Sequence, residues 1–156
     1  MTVRRAETRD IPRIGELLYQ VCNVHAAGRP DLFVAGARKY TDGQLEDILN
    51  ENDRPVLVAA DEDDRVVGYA FCQLQEGGKH HALHDVRTLY IDDLCVDETC
   101  RGQHIGTVLY EAVLALAREC GCYNVTLHVW NCNAPAMKFY EHLGMQCRQM
   151  EMETLL

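Results

Sequence analysis

Arg101-Gly102-Gln103-His104-Ile105-Gly106-Thr107 stands between an apolar run that reads as a strand, Thr88 to Val96, and an amphipathic run that reads as a helix, Gly106 to Cys120. At a helix N-terminus the first amide N–H groups lack intrahelical partners and the macrodipole favours negative charge. A turn in that place can hold a pyrophosphate. Gly102 and Gly106 remove side chains that would block close approach, Arg101 adds charge, and Thr107 adds a hydroxyl donor. Taken alone, a helix start with flexible glycines explains the same residues equally well.

Outward from this turn the chain divides into regular elements. On its C-terminal side, Val125 to Val129 reads as a strand, Pro135 to Leu143 as a helix and Met145 to about Met152 as a final strand. On its N-terminal side, Thr2 to Ala6 starts a strand. Asp10 or Thr8 then caps a helix carrying Ile11, Ile14, Leu17, Leu18, Val21 and Val24 on one stripe. Gly28-Arg29-Pro30 ends that helix, and Thr41 and Gln44 have capping-box spacing for a second one through about Leu49. Pro55 to Ala60 and Val66 to Gln75 read as a hairpin joined by the acidic turn Asp61-Glu62-Asp63-Asp64, and Gly77-Gly78 marks a second turn. With no internal repeat and no linker, these elements share one mixed sheet in an α+β three-layer arrangement.

The 156 residues suffice for a single domain, 1–156, and fall short of two. At 47% hydrophobic and 25% charged residues, the composition is globular and excludes a disordered chain. No apolar run approaches the roughly 20 residues that cross a bilayer, and Met1-Thr2-Val3-Arg4-Arg5 leads into mixed sequence. A cytoplasmic protein with no membrane partner is expected. The net charge of −9 disfavours nucleic acid and attracts cations, protonated amines among them. Of the eight cysteines, Cys22, Cys72, Cys95 and Cys120 sit inside regular apolar patterns and read as reduced core residues. Cys120 and Cys122 are too close for the usual zinc spacing, so no metal is expected.

A second motif follows the turn by thirty-odd residues: Asn133-x-x-Ala136-x-x-Phe139-Tyr140-Glu141-x-x-Gly144-Met145. Paired with Arg101-x-x-x-x-Gly106, it resembles the GNAT superfamily of N-acetyltransferases. The resemblance implies a GNAT-like fold, with a central mixed, mostly antiparallel sheet flanked by helices, and acetyl-CoA as cosubstrate. It implies that the amides from Arg101 to Thr107, those of Gln103, His104 and Ile105 included, bind the coenzyme A pyrophosphate. His104 departs from the pattern, since the family usually has its first glycine there, so its backbone is expected to suit a residue with a Cβ. By the same likeness Leu94, Cys95 and Val96 lie on a splayed strand whose backbone pairs with the pantetheine arm. Tyr140 matches the tyrosine that protonates the departing thiolate, and Asn133 caps its helix and contacts the cofactor. In an unrelated fold, Tyr140 would read as a core aromatic beside Phe139. Homodimers are common among the relatives.

Acetylating an amine requires a neutral nitrogen, so a base is needed. Asp92 and Asp93 are adjacent acids among apolar neighbours, and strand alternation sends them to opposite faces. The pattern is similar to polyamine acetyltransferases, where an acid at the Asp92 position acts on the substrate amine; a solvated strand face would explain one of the two. His128 falls where ribosomal-protein N-terminal acetyltransferases carry a glutamate. The expected order of candidates is Asp92, Asp93, His128. The acceptor is a small-molecule or peptide amine, selected by the first helix, the loop His25 to Phe33 and the hairpin. His80, His81 and His84 form a separate cluster that reads first as solvated surface. Two other classes remain at this stage, a non-catalytic acyl-CoA-binding regulator and a histidine-loop metal-binding protein.

Overall fold

The protein is described by a computed structural model covering residues 1–78 and 81–156. Strand β1 (Thr2–Arg5) leads through a single 3-10 turn into helix α1 (Ile11–Gly28). Helix α2 (Asp42–Asn50), strands β2 (Val56–Ala60), β3 (Val66–Gln75) and β4 (Thr88–Val96), helix α3 (Ile105–Glu119), strand β5 (Asn124–Leu127) and helix α4 (Ala134–His142) follow. The five strands form one sheet in the order β1-β2-β3-β4-β5, antiparallel except for the parallel β4–β5 pair. This is the α+β, mostly antiparallel architecture expected from the sequence.

Helices cover both faces, which is why all five residues of β2 are buried. Ile11, Ile14, Leu17 and Leu18 of α1 and Leu45 and Ile48 of α2 pack on one face, against Val56, Val58, Tyr69, Phe71 and Cys95. Ile105, Leu109 and Val113 of α3 pack on the other, against Leu57, Ala70, Cys72, Leu89 and Ile91. The α1 stripe ends before Val24, which is exposed. Thr41 caps α2 as its spacing requires: Gln44 N–H donates to Thr41 Oγ1 at 3.3 Å, and Thr41 N–H to Gln44 Oε1 at 2.9 Å. The Asp61–Asp64 turn is closed by Asp61 Oδ1, which accepts from the N–H groups of Asp63 and Arg65.

The expected final strand is not a strand. Residues from Met145 onward carry no sheet pairing, and Met150 and Met152 are exposed. The reason lies in the pattern: apolar residues fall at 145 and 147, then at 150 and 152, so the alternation slips by one at Gln149 and no single face is apolar. An ion pair from Arg29 to Glu153 tethers the segment instead. All eight cysteines are free; Cys72 and Cys95 are buried in the core, while Cys22 and Cys120 are only half-buried and Cys132 and Cys147 are exposed. No described helix is long and apolar enough to cross a membrane.

Candidate active site

The site begins where β4 loses a neighbour. On the β3 side β4 is paired from Thr88 to Val96 at every residue but Asp92, whereas on the β5 side pairing stops at Ile91↔Leu127. From Asp92 to Val96 one edge of β4 is therefore open, the splay that sequence could only infer from likeness. Asp97 N–H bonds Val67 O on β3 at 2.9 Å. By the two-residue alternation, Cys95 also turns its backbone toward β3, while Leu94 and Val96 turn their N–H and C=O to the open edge. The end of β4 is pinned from the α1 side, where Arg13 pairs with the buried Asp97 and Cys95 Sγ lies 3.6 Å from Leu17 O. An open strand edge held this rigidly can accept an extended ligand as an added strand.

At the start of the splay β4 is bulged. Phe71 faces Asp93 and Cys72 faces Ile91, so Asp92 is an extra residue. The expectation that alternation separates the two acids is overturned by this bulge, and both carboxyls lie on the α1 face. Asp92 Oδ2 accepts from Tyr40 Oη at 2.5 Å and its Oδ1 pairs with Lys39 Nζ at 2.8 Å. Asp93 Oδ2 accepts from Tyr69 Oη at 3.2 Å. Tyr40 and Tyr69 both pack on Phe71, with ring centroids 5.5 and 5.0 Å away. Burial pushes the Asp93 carboxyl up to about 6, against the pull of the Lys39 ammonium and with the added push of Asp92.

Below the splay lies the N-terminus of α3. Its N-cap residue His104 makes no side-chain capping bond, and the first backbone bond within the helix is Val108 N–H to His104 O at 3.1 Å. The amides of Ile105, Gly106 and Thr107 thus face outward from an uncapped helix end, with Arg101, Gly102 and Gln103 exposed beside them. His104 has φ 61° and ψ 12°, the left-handed region, so its backbone takes the glycine conformation of the pattern and does not suit a Cβ. Gly102, at φ 79°, is left-handed as well. Gly106 also serves packing: a Cβ there would meet Phe139 Cζ at 3.0 Å and Val96 Cγ2 at 3.7 Å. It lets α3 approach α4 and β4. Backbone donors at the helix end and backbone groups on the open edge together suit a ligand with an anionic head and an extended amide-bearing arm.

Tyr140, on α4, completes the constellation. Burial raises its hydroxyl above the ordinary tyrosine range, with the charges of Asp93 and Tyr110 adding to the rise, so it holds its proton near neutral pH. Its ring lies 5.1 Å from Phe139 and 6.4 Å from Tyr110. Asn133 caps α4 as expected, accepting from Ala136 N–H at 3.3 Å. His128 follows β5, exposed, with Nδ1 3.0 Å from Tyr90 Oη, beside a cavity of about 430 Å³ lined also by Gln149, Met150 and Glu151. Of the histidine cluster, His80 lies outside the described residues and His81 and His84 are exposed. Among the described residues no three His, Cys, Asp or Glu side chains are grouped to hold a metal.

Sequence reasoning missed Lys39 and Tyr40. They precede the Thr41 cap in the α1–α2 connection, where no periodicity marks a direction. The only available signal was the cap itself, which fixes where α2 starts and hence which residues reach the sheet. The same connection sends Phe33 against His25 and Trp130, at 5.0 and 5.2 Å. These three rings join the end of α1 and the connection to the β5–α4 loop.

Comparison with known proteins gives this arrangement a family. The Bacillus subtilis protein named "Putative phosphinothricin acetyltransferase YwnH" is 27% identical over 146 residues, spanning 92% of this chain and 83% of its own. The Drosophila melanogaster protein named "Probable glucosamine 6-phosphate N-acetyltransferase" is 39% identical over 54 residues, but the match covers only 35% of this chain and 23% of that one. A solved structure of a mutant BH1408 protein from Bacillus halodurans superposes with a TM-score of 0.95 at 30% identity, over 100% of this chain and 99% of its own. The model of the Acetyltransferase (GNAT) family matches residues 18–145, a span that holds β4, the α3 turn and α4, and the chain belongs to that family.

Proposed function

We propose that the protein transfers the acetyl group of acetyl-CoA to a primary amine of a small molecule by direct attack in a ternary complex. The observation that carries this reading is the β4 bulge, which turns two carboxylates to one face at the point where the strand edge opens. Acetyl-CoA supplies a thioester, an activated acyl group that a neutral amine can attack. The uncapped amides of Ile105, Gly106 and Thr107 at the start of α3 would hold the pyrophosphate, and the open-edge backbone groups of Leu94 and Val96 the pantetheine arm. Named relatives with phosphinothricin and glucosamine 6-phosphate in their names favour a small amine over a peptide.

The two aspartates divide work that the sequence assigned first to Asp92. Asp92, already paired with one ammonium, binds the charged amine. Asp93, with its carboxyl raised to about 6, takes the proton, because a base whose pKa lies nearer the working pH is the better match. Tyr140 keeps its proton near neutral pH and gives it to the departing thiolate. A backbone N–H on the open edge of β4 stabilises the oxyanion.

Release of free coenzyme A across a panel of small amines and peptides tests the reaction. With a substrate in hand, the pH dependence tests the roles. A base works ionised, so kcat/KM should rise with pH through about 6 in the parent and lose that limb in Asp93→Asn. Asp92→Asn should raise KM for the amine and keep the limb. If Asp93→Asn keeps the parent profile and Asp92→Asn or His128→Gln loses the limb, the proton acceptor is the other residue.

A further inference from the structure

Lys39 brings a primary alkyl amine to the acceptor side of the site. Its Nζ lies 2.8 Å from Asp92 Oδ1 and 3.2 Å from the Asp92 carbonyl oxygen, and 5.5 Å from the centre of the Tyr40 ring. The lysine side chain is 43% exposed and that of Asp92 is 13% exposed, so the ammonium enters from the solvent side and ends on a largely covered carboxylate. That carboxylate is the one assigned above to bind the substrate ammonium. The next residue is Asp93, and the open edge of β4 starts at the same point. A lysine held there only to neutralise Asp92 could be an arginine, whose guanidinium makes the better fixed ion pair and never loses its proton. An ammonium on a flexible stem is the version that can become a nucleophile.

We propose that Lys39 Nζ is itself an acceptor, and that the protein acetylates its own Lys39 when it holds acetyl-CoA and no other amine is present. The proposal rests on the transferase reading above. In this step the ammonium gives a proton to the aspartate pair, which passes it to solvent. The freed lone pair attacks the thioester carbonyl carbon, a C–N bond forms and the C–S bond breaks. The nitrogen then loses its second proton to the aspartate pair, and the sulfur leaves with the bonding electrons and takes up a proton from Tyr140, which solvent restores. The products are Nε-acetylated Lys39 and free coenzyme A; nothing is oxidised or reduced.

The chain has three lysines, Lys39, Lys79 and Lys138, and Lys138 is exposed on α4, which makes it an internal control for unassisted chemical acetylation. Purified full-length protein would be incubated with acetyl-CoA alone and followed by intact mass and peptide mapping. We expect one acetyl group to be gained at Lys39 well before Lys138, with a half-time independent of protein concentration, as an intramolecular transfer requires. Lys39→Arg should gain none at that position. Asp92→Asn should slow the gain at Lys39 at least ~10-fold and leave the slow modification of Lys138 as it was. Acetylation of Lys39 no faster than of Lys138, or at a rate proportional to protein concentration, would overturn the proposal. An amine panel run in parallel separates the two readings: turnover of an added amine, together with no gain at Lys39 in acetyl-CoA alone, sinks this inference alone, and no coenzyme A release in either reaction sinks both.

Discussion

The two sides of the splay are built on opposite principles. Around α3 the groups offered to a ligand belong to the backbone: three outward amides, two left-handed residues and a helix end with no side-chain cap. Around the β4 bulge they are side chains, two aspartates and the Tyr40, Tyr69 and Lys39 groups that touch them. Backbone recognition needs only that certain side chains be absent or out of the way, so it leaves a short motif with fixed spacing. Side-chain recognition needs particular groups to arrive from distant elements. It leaves no motif, only the packing that delivers them. One side suits a ligand common to a family and the other suits an acceptor that differs between members.

The sharpest way to break this division is at Tyr140, which touches both sides: its ring packs near α3 through Tyr110, and its hydroxyl feels the charge of Asp93. Tyr140→Phe keeps the ring and removes the hydroxyl proposed as the proton donor. Turnover should fall roughly 10²- to 10⁴-fold, while acetyl-CoA affinity by calorimetry stays close to that of the parent. Near-normal turnover would leave Tyr140 as a packed aromatic only, and the two sides would then share no proton donor.

A smaller effect is expected at Gly106. Gly106→Val presses Phe139 and with it α4, the helix that carries Tyr140 and is capped by Asn133. Overpacking of this kind costs about 1–3 kcal/mol, so the melting temperature should fall. Acetyl-CoA binding should weaken at least ~10-fold, or about 1.4 kcal/mol. Adding Phe139→Leu to make room should recover part of both. A loss of affinity with no change in melting temperature, and no recovery in the double variant, would mean that the valine blocks the ligand directly and that Gly106 belongs to the backbone cradle.

The same contrast explains what the sequence made legible. The helix–strand order as far as α4, the α2 capping box and the glycine turn that opens α3 were all readable, because each rests on periodicity or on a local hydrogen bond between residues a few positions apart. The adjacency of Asp92 and Asp93 was readable too, but not their common face. A bulge is set by how β4 registers against β3, and that pairing is non-local. Lys39 and Tyr40 were invisible for a related reason, since they lie in a connection whose path depends on Phe33 meeting His25 and Trp130 from three different parts of the chain. The final strand does not form because its two apolar pairs, at 145 and 147 and at 150 and 152, do not share a phase.

The smallest effect, and the finest test of the backbone principle, is at His104. A residue with a Cβ in the left-handed region costs roughly 1–2 kcal/mol, and glycine there pays only its larger loss of chain entropy, about 0.5–1 kcal/mol. His104→Gly should therefore stabilise the protein by about 1 kcal/mol or less, a rise in melting temperature of no more than about 2–4 °C for a chain of this length. The helix end and its amides are unchanged by the substitution. If the cradle is made of backbone alone, acetyl-CoA affinity should stay within about twofold of the parent, or improve as the turn settles. A tenfold loss of affinity in a more stable protein would show that the imidazole itself touches the phosphates. The cofactor side would then share with the acceptor side the use of a side chain, and the histidine would be kept at a cost in stability for the contact it makes.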